Sequence, residues 1–323
     1  MNLPKFKIGR YTADLPLIQG GMAIRISTGA LAGAVAKTGA VGVIGASGMA
    51  FEELAEEIRL ARQIAGGNGI IGVNIMFAAR EFIGLVNTAI KEKIDVIFTG
   101  AGFSRDIFKM AKGSVTEIVP IVSSAKFALL SKKLGAPAVV VEGKEAGGHL
   151  GTLRSIKEIL PEVRSAVGPD FPVAGAGGFY HGSQIAEFMR LGANAVQIAT
   201  RFVLAEECNA ARAYKEVYQR AKEGDVVIIA SPVGMPGHAL KTAFVNRILD
   251  KSVPTPMGCD YCLKNCSLVY CIIQALINSQ QGDVENGVVF SGENVWKIKD
   301  RTIRPAAAII KDILNEYEES VNV

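Results

Sequence analysis

The chain has 323 residues, 49% hydrophobic and 20% charged, with a net charge of +4. That balance suits a soluble globular protein with a large core, and the lack of a basic block argues against nucleic acid as a partner. Its apolar runs fall far short of the roughly 20 residues a membrane span needs. The N-terminal MNLPKFKIGRYTADLP has no apolar h-region, so a cytoplasmic location is expected.

Short apolar runs alternate with helix-like segments through the first two-thirds of the chain. The runs are Pro16–Gly21, Ala40–Gly45, Ile70–Met76, Val96–Gly102, Ile118–Ser123, Ala138–Gly143, Pro172–Gly178 and Ala195–Phe202. Most are rich in Val, Ile or Ala without polar alternation, the pattern of parallel strands buried on both faces. Amphipathic segments such as Phe51–Ile64, Arg80–Lys91, Ser183–Leu191 and Ala205–Lys222 lie between them. Eight strand–helix units predict an α/β fold, a closed (β/α)8 TIM barrel over an open doubly wound sheet. Glycines cluster at the carboxyl ends of five of the runs, where such barrels build their sites. After residue 223 the pattern changes. Val226–Pro236 reads as extended and turn-rich, Ala239–Leu249, Ile272–Ser279 and Arg304–Tyr317 as helices, and Gly287–Phe290 as a short strand or turn. We therefore expect a barrel over residues 1–223 and an extension packed on it over 224–323.

The stretch VEGKEAGGHLG, Val141–Gly151, runs from the end of the sixth strand into a glycine-rich loop. Gly147 and Gly148 remove side chains that would keep a flat ligand from the backbone. His149, one of three histidines, then sits where an acid or base is useful, although an isolated histidine is also a common structural residue. His181 and His238 read as locally bonded. Two later stretches suit a phosphate: AGAGGFYHGSQIAEF, a strand, glycine turn and helix, and VQIATRF, which ends the eighth strand at Thr200. Barrels often place a phosphate at the loops after strands seven and eight.

Four of five cysteines, Cys259, Cys262, Cys266 and Cys271, fall within thirteen residues, spaced C-x2-C-x3-C-x4-C. Without an evident export signal this favours a metal over disulfides. A 4Fe–4S cluster suits the compact spacing better than a structural zinc, with free thiols or a disulfide as the remaining alternatives. Cys208, placed on the eighth helix, reads as core packing.

Six motifs occur in register: PLIQGGM at Pro16–Met22, GVNIM at Gly72–Met76, TGAG at Thr99–Gly102, EAGGHLG at Glu145–Gly151, AGGF at Ala176–Phe179 and QIATRF at Gln197–Phe202. With these the chain resembles the FMN-dependent nitronate monooxygenases (2-nitropropane dioxygenase-like proteins) and their relatives, the flavin-containing enoyl-acyl-carrier-protein reductases. The resemblance implies non-covalent FMN at the carboxyl end of the barrel. Gly21 and Met22 would line the flavin ring, Asn74 would hydrogen-bond it, Glu142 would contact it, and Gly147 and Gly148 would lie beside it. Gly177, Gly178 and the run Gln197, Ala199, Thr200 would hold the phosphate, and His149 matches the catalytic histidine of both branches.

Two positions depart from the family pattern. Ala199 stands where relatives usually have glycine, which is tolerable only at negative φ. Glu142 is the residue of the enoyl reductases, whereas nitronate monooxygenases more often have Gln. The motif SPVGMPG at Ser231–Gly237 and the cysteine-rich tail pull back toward proteins named nitronate monooxygenases. The resemblance thus implies an FMN enzyme acting on a small molecule, either a nitronate or, with NAD(P)H as electron donor, an enoyl thioester. A homodimer is compatible with it. A flavin-free lyase or isomerase using the phosphate site is the alternative outside the family.

Overall fold

The computed structural model describes residues 3–256 and 258–321. Eight parallel strands close into a barrel: β1 (Leu17–Gln19), β2 (Val41–Gly45), β3 (Ile70–Met76), β4 (Val96–Gly100), β5 (Glu117–Val122), β6 (Val139–Glu142), β7 (Val173–Ala176) and β8 (Ala195–Ile198). Each pairs with its sequence neighbour, and β8 returns to β1 with Ile198 opposite Gln19. The strand period of two divides the branched residues between two layers. Val41, Val43, Ile70, Val96, Phe98, Val119 and Val140 fill the barrel. Ile44, Ile71, Val73, Ile75 and Ile97 face the helices instead. An antiparallel hairpin, Phe6–Ile8 with Tyr11–Ala13, contributes Phe6, Ile8 and Ala13 to the inner cluster.

The surrounding helices follow from local signals. In α2 (Phe51–Ala65), Leu54, Ile58, Ala61 and Ala65 make one buried stripe. Glu53 reaches back to the Ala50 N–H at 3.2 Å, and Gly66 ends the helix at φ +62°. The C-terminal helix (Ala306–Val321) packs against the helices Gly29–Ala36 and Gln184–Arg190, closing the outer ring where the eighth helix of a barrel belongs. Buried Arg201 pairs with Glu316 of that helix at 2.6 Å, and Glu316 also accepts the Gly182 N–H at 2.6 Å.

Between β8 and that terminal helix the chain forms a second small sheet. Strands β9 (Val226–Ala230), β10 (Pro236–Leu240) and β11 (Val289–Phe290) are antiparallel, and the two-residue strand Gly148–His149 adds to the free edge of β10. A core of Ile229, Ala239, Val245, Tyr270, Ile272, Ala275 and Val288 supports it.

Two helix expectations are corrected. The helix expected over Ala205–Lys222 spans only Arg212–Arg220, preceded by a 3-10 turn at Thr200–Leu204. In the gap the backbone bonds outward: Glu206 N–H to Arg304 O, Asn209 N–H to Ile26 O and Ala211 N–H to Gln280 O. Cys208 lies in that gap, buried in the main core rather than on the helix. The helix expected from Ala239 begins at Ala243. Ala239 and Leu240 belong to β10, and Thr242 caps the helix by accepting the Val245 N–H at 3.1 Å. Among the described residues no helix is long and apolar enough to cross a membrane.

Candidate active site

A cleft of about 1300 Å³, counting the part open to solvent, lies at the carboxyl ends of the barrel strands. Its lining comes from nearly every strand end. Gly21 and Met22 follow β1, Asn74 lies within β3, and Glu142 ends β6. Gly147, Gly148 and His149 come from the loop after β6; Gly177 and Gly178 follow β7; Gln197, Ala199 and Thr200 stand at the end of β8. Every residue the sequence singled out for cofactor or catalysis therefore meets in one cleft. Ala199 has φ −118°, which carries its methyl without strain.

His149 is held from the side opposite the barrel. Its backbone pairs with Gly237 of β10, and Leu150 N–H donates to Pro236 O at 2.8 Å. Its ring packs edge-on against Phe290 of β11, centroids 5.1 Å apart, and its Nε2 lies 2.8 Å from Ser231 Oγ. Burial lowers its pKa from 6.5 to about 4, so the imidazole is neutral at physiological pH. Burial likewise pushes Glu142 from 4.5 up to about 8, so that carboxyl keeps its proton near neutrality.

Two glycines have specific reasons to be glycine. A Cβ on Gly147 would stand 2.6 Å from Gly292 N, because loop and extension touch there through backbone. Gly178 has φ +76°, and its carbonyl is fixed by the side-chain amides of Gln184 and Asn294 at 3.1 and 3.0 Å.

Several lining residues escaped the sequence reading: Tyr214, Tyr218, Phe290, Ser291 and Gly292. Gly292 N–H donates to Thr200 Oγ1 at 3.3 Å, joining the extension to the end of β8. The Ser291–Gly292 turn after a short apolar run was the available signal. Ser231 had been seen only as part of a motif. The other histidines are structural. His181 Nδ1 bonds Ser183 Oγ at 3.0 Å, and buried His238 bonds Ala146 O at 3.0 Å from within β10.

The cysteines lie outside the cleft. All are free; Cys259 and Cys266 are exposed, Cys262 and Cys271 half-buried. Burial pushes the Cys262 thiol up to about 11, reinforced by the nearby thiols of Cys271, Cys266 and Cys259. Among the described residues no group of three or more His, Cys, Asp or Glu is arranged to hold a metal. The metal centre expected from their spacing is thus not assembled in this geometry.

A model of the nitronate monooxygenase family matches residues 5–83 and 67–316. The chain belongs to the nitronate monooxygenase family. Enzymes of that family are FMN-dependent oxidoreductases. A "Probable nitronate monooxygenase" of Staphylococcus aureus (strain MSSA476) is 26% identical over 95% of both chains. A "(3aS,4S,5R,7aS)-5-hydroxy-7a-methyl-1-oxo-octahydro-1H-indene-4-carboxyl-CoA dehydrogenase" of Rhodococcus jostii (strain RHA1) is 30% identical over 72% of this chain, which spans 64% of that protein's length. The solved structure of FabK from Thermotoga maritima superposes with a TM-score of 0.85 at 32% identity, covering 96% of this chain and 94% of that one. The cleft fits FMN on its own terms. Its wall carries Gly21, Gly147, Gly148, Gly177 and Gly178, which leave the backbone open to the approach of a flat ring and a phosphate.

Proposed function

We propose that this member of the family oxidises nitronates and nitroalkanes to carbonyl compounds. The observation that carries the reading is a neutral His149 on the wall of a glycine-lined cleft, opposite the strand ends that would hold FMN. Bound FMN supplies the redox chemistry. Asn74 and Glu142 would contact its ring, with Gly21, Met22, Gly147 and Gly148 beside it; Gly177, Gly178, Gln197, Ala199 and Thr200 would seat its phosphate. The neutral imidazole orients the nitro group by hydrogen bonding and takes a proton from a neutral nitroalkane. Protonated Glu142 adds no negative charge to repel an anionic nitronate. Phe290, Tyr214 and Tyr218 line the same cleft and would narrow water access to a bound substrate.

Glu142 and the likeness to FabK favour a second reading, NAD(P)H-dependent reduction of an enoyl thioester, with His149 polarising the thioester carbonyl. The two are separated by adding a nitronate to oxidised FMN-loaded protein and, separately, crotonyl thioester to protein reduced by NAD(P)H without oxygen. Reoxidation by the thioester alone, with no carbonyl product from nitronate in air, overturns the first reading.

For the cysteine segment we propose that Cys259, Cys262, Cys266 and Cys271 close around an iron–sulfur cluster, or a zinc ion, when one is supplied. The donor chemistry supports it: Cys262 already senses the other three thiols. Iron, sulfide and zinc analysis of anaerobically purified protein tests it, and metal-free protein with four titratable thiols in that segment rejects it.

A further inference from the structure

We propose that His238 is a positioning residue whose Nδ1–H holds the Ala146 carbonyl and so sets the course of the glycine turn that leads to His149. This rests on that turn lying beside FMN, as in the function proposed above. Adjacent Gly147 and Gly148 have wide backbone freedom, and Gly148 uses it at φ +80°. Such a turn keeps one shape only if its surroundings impose it. The extension holds both of its ends: Glu293 N–H donates to Glu145 O at 3.1 Å, and Leu150 N–H to Pro236 O at 2.8 Å. Between these ends His238 grips the turn twice. Its backbone pairs with Gly148, and its Nδ1 lies 3.0 Å from Ala146 O.

The strand period of two puts the ring there. Ala239 belongs to the core of the extension and Leu240 to the main core, so His238 shares the face of Leu240 and turns toward the barrel. Its own carbonyl accepts the Ser291 N–H at 3.2 Å, which fixes the backbone that carries the ring. His238 and Ala146 are each only 6% exposed, so water competes little for the Ala146 carbonyl, and losing its partner would be costly. A carbonyl oxygen has no hydrogen to give, so Nδ1 is the donor, in the neutral ring and in the imidazolium alike. What the turn needs from residue 238 is therefore a donor at the place of Nδ1. Asparagine offers one at the same number of bonds from the backbone; glutamine carries its amide one methylene further.

The first measurement is 15N NMR of FMN-loaded protein labelled at its three histidines, the His238 signals being those absent from His238→Asn. We expect hydrogen on Nδ1 of His238; an unprotonated Nδ1 overturns the proposal. FMN is then titrated into stripped wild type, His238→Leu, His238→Gln and His238→Asn. Its Kd should rise about ten-fold in the Leu and Gln variants and return to within about three-fold of wild type in the Asn variant. A space-filling role would give the reverse order, with Leu tolerated better than Asn. Unchanged FMN binding in His238→Leu, or Gln restoring it as well as Asn does, overturns the proposal. If His238→Leu does not fold, the contrast of Asn with Gln decides. Neither readout needs a substrate, so a protein inert toward nitronates would count against the proposed function and leave this assignment standing.

Discussion

The barrel sets its share of the site by strand register: Asn74 faces Gly45 across β2 and β3, and Glu142 faces Ala176 across β6 and β7. These positions follow from closing eight short strands, and a large common core holds them. Residues 224–303 work differently. They hold His149 through strand pairing with Gly237, the ring of Phe290 and the hydroxyl of Ser231, on a small core of their own. On the proposed function the cofactor cradle would thus belong mainly to the barrel, and the orientation of His149 belongs to the extension. A barrel of this kind can retain one cofactor while its chemistry is retuned from outside the strands.

The largest effect should come where the two regions meet. His149→Ala removes the imidazole and leaves the strand ends untouched, so we expect FMN to stay bound and turnover to fall about 10²- to 10⁴-fold. Full activity with bound FMN would break the division of labour. A comparable effect of another kind is expected inside the barrel. Phe98 is fully buried among strand residues, and Phe98→Ala should cost about 3–5 kcal/mol of stability and lower FMN retention with it. Chemical denaturation measures the first. A loss under 1 kcal/mol would mean the inner cluster does not hold the cradle.

The next effect is a pH dependence with opposing signs. His149 binds a proton less readily when folded, so its contribution to stability is present above pH 6.5 and lost as pH falls toward 4. Glu142 binds one more readily when folded, so its contribution is full below pH 4.5 and is lost as pH rises toward 8. Between 6.5 and 8 only Glu142 still changes. FMN-stripped protein should lose thermal stability across that window, and Glu142→Gln should flatten the loss. An equal slope in both proteins would remove Glu142 as its cause.

The barrel was legible because its signals are local and repeated: apolar runs of strand length, five of them ended by glycine. Asn74 and Glu142 could be placed by the family resemblance of their motifs, and Thr200 by its position at the end of the eighth strand. The extension was not legible, since its partners lie far apart in sequence. Nothing near Ser231 announces His149, 82 residues earlier, and nothing near Gly292 announces Thr200. Gly147 looked like a clearance for a ligand, yet it is also where loop and extension backbones touch. The Ala239–Leu249 segment was helical by composition, but Ala239 and Leu240 pair with Val227 and Val226 of β9, and tertiary pairing won over local preference.

The smallest effect should be confined to the extension. Thr242 Oγ1 accepts the Val245 N–H at 3.1 Å and donates to Gly287 O at 3.0 Å, capping the helix Ala243–Leu249 and tying it to the turn before β11. Thr242→Ala loses both bonds and should cost about 1 kcal/mol. If the extension opens as a unit distinct from the barrel, amide exchange should quicken over β10, β11 and that helix while β2 to β4 stay protected. The Phe290 ring would then be less firmly seated against His149, and kcat should fall modestly with FMN affinity unchanged. Uniform acceleration of exchange through both regions would show instead that they open together, and that the orientation of His149 depends on the whole fold.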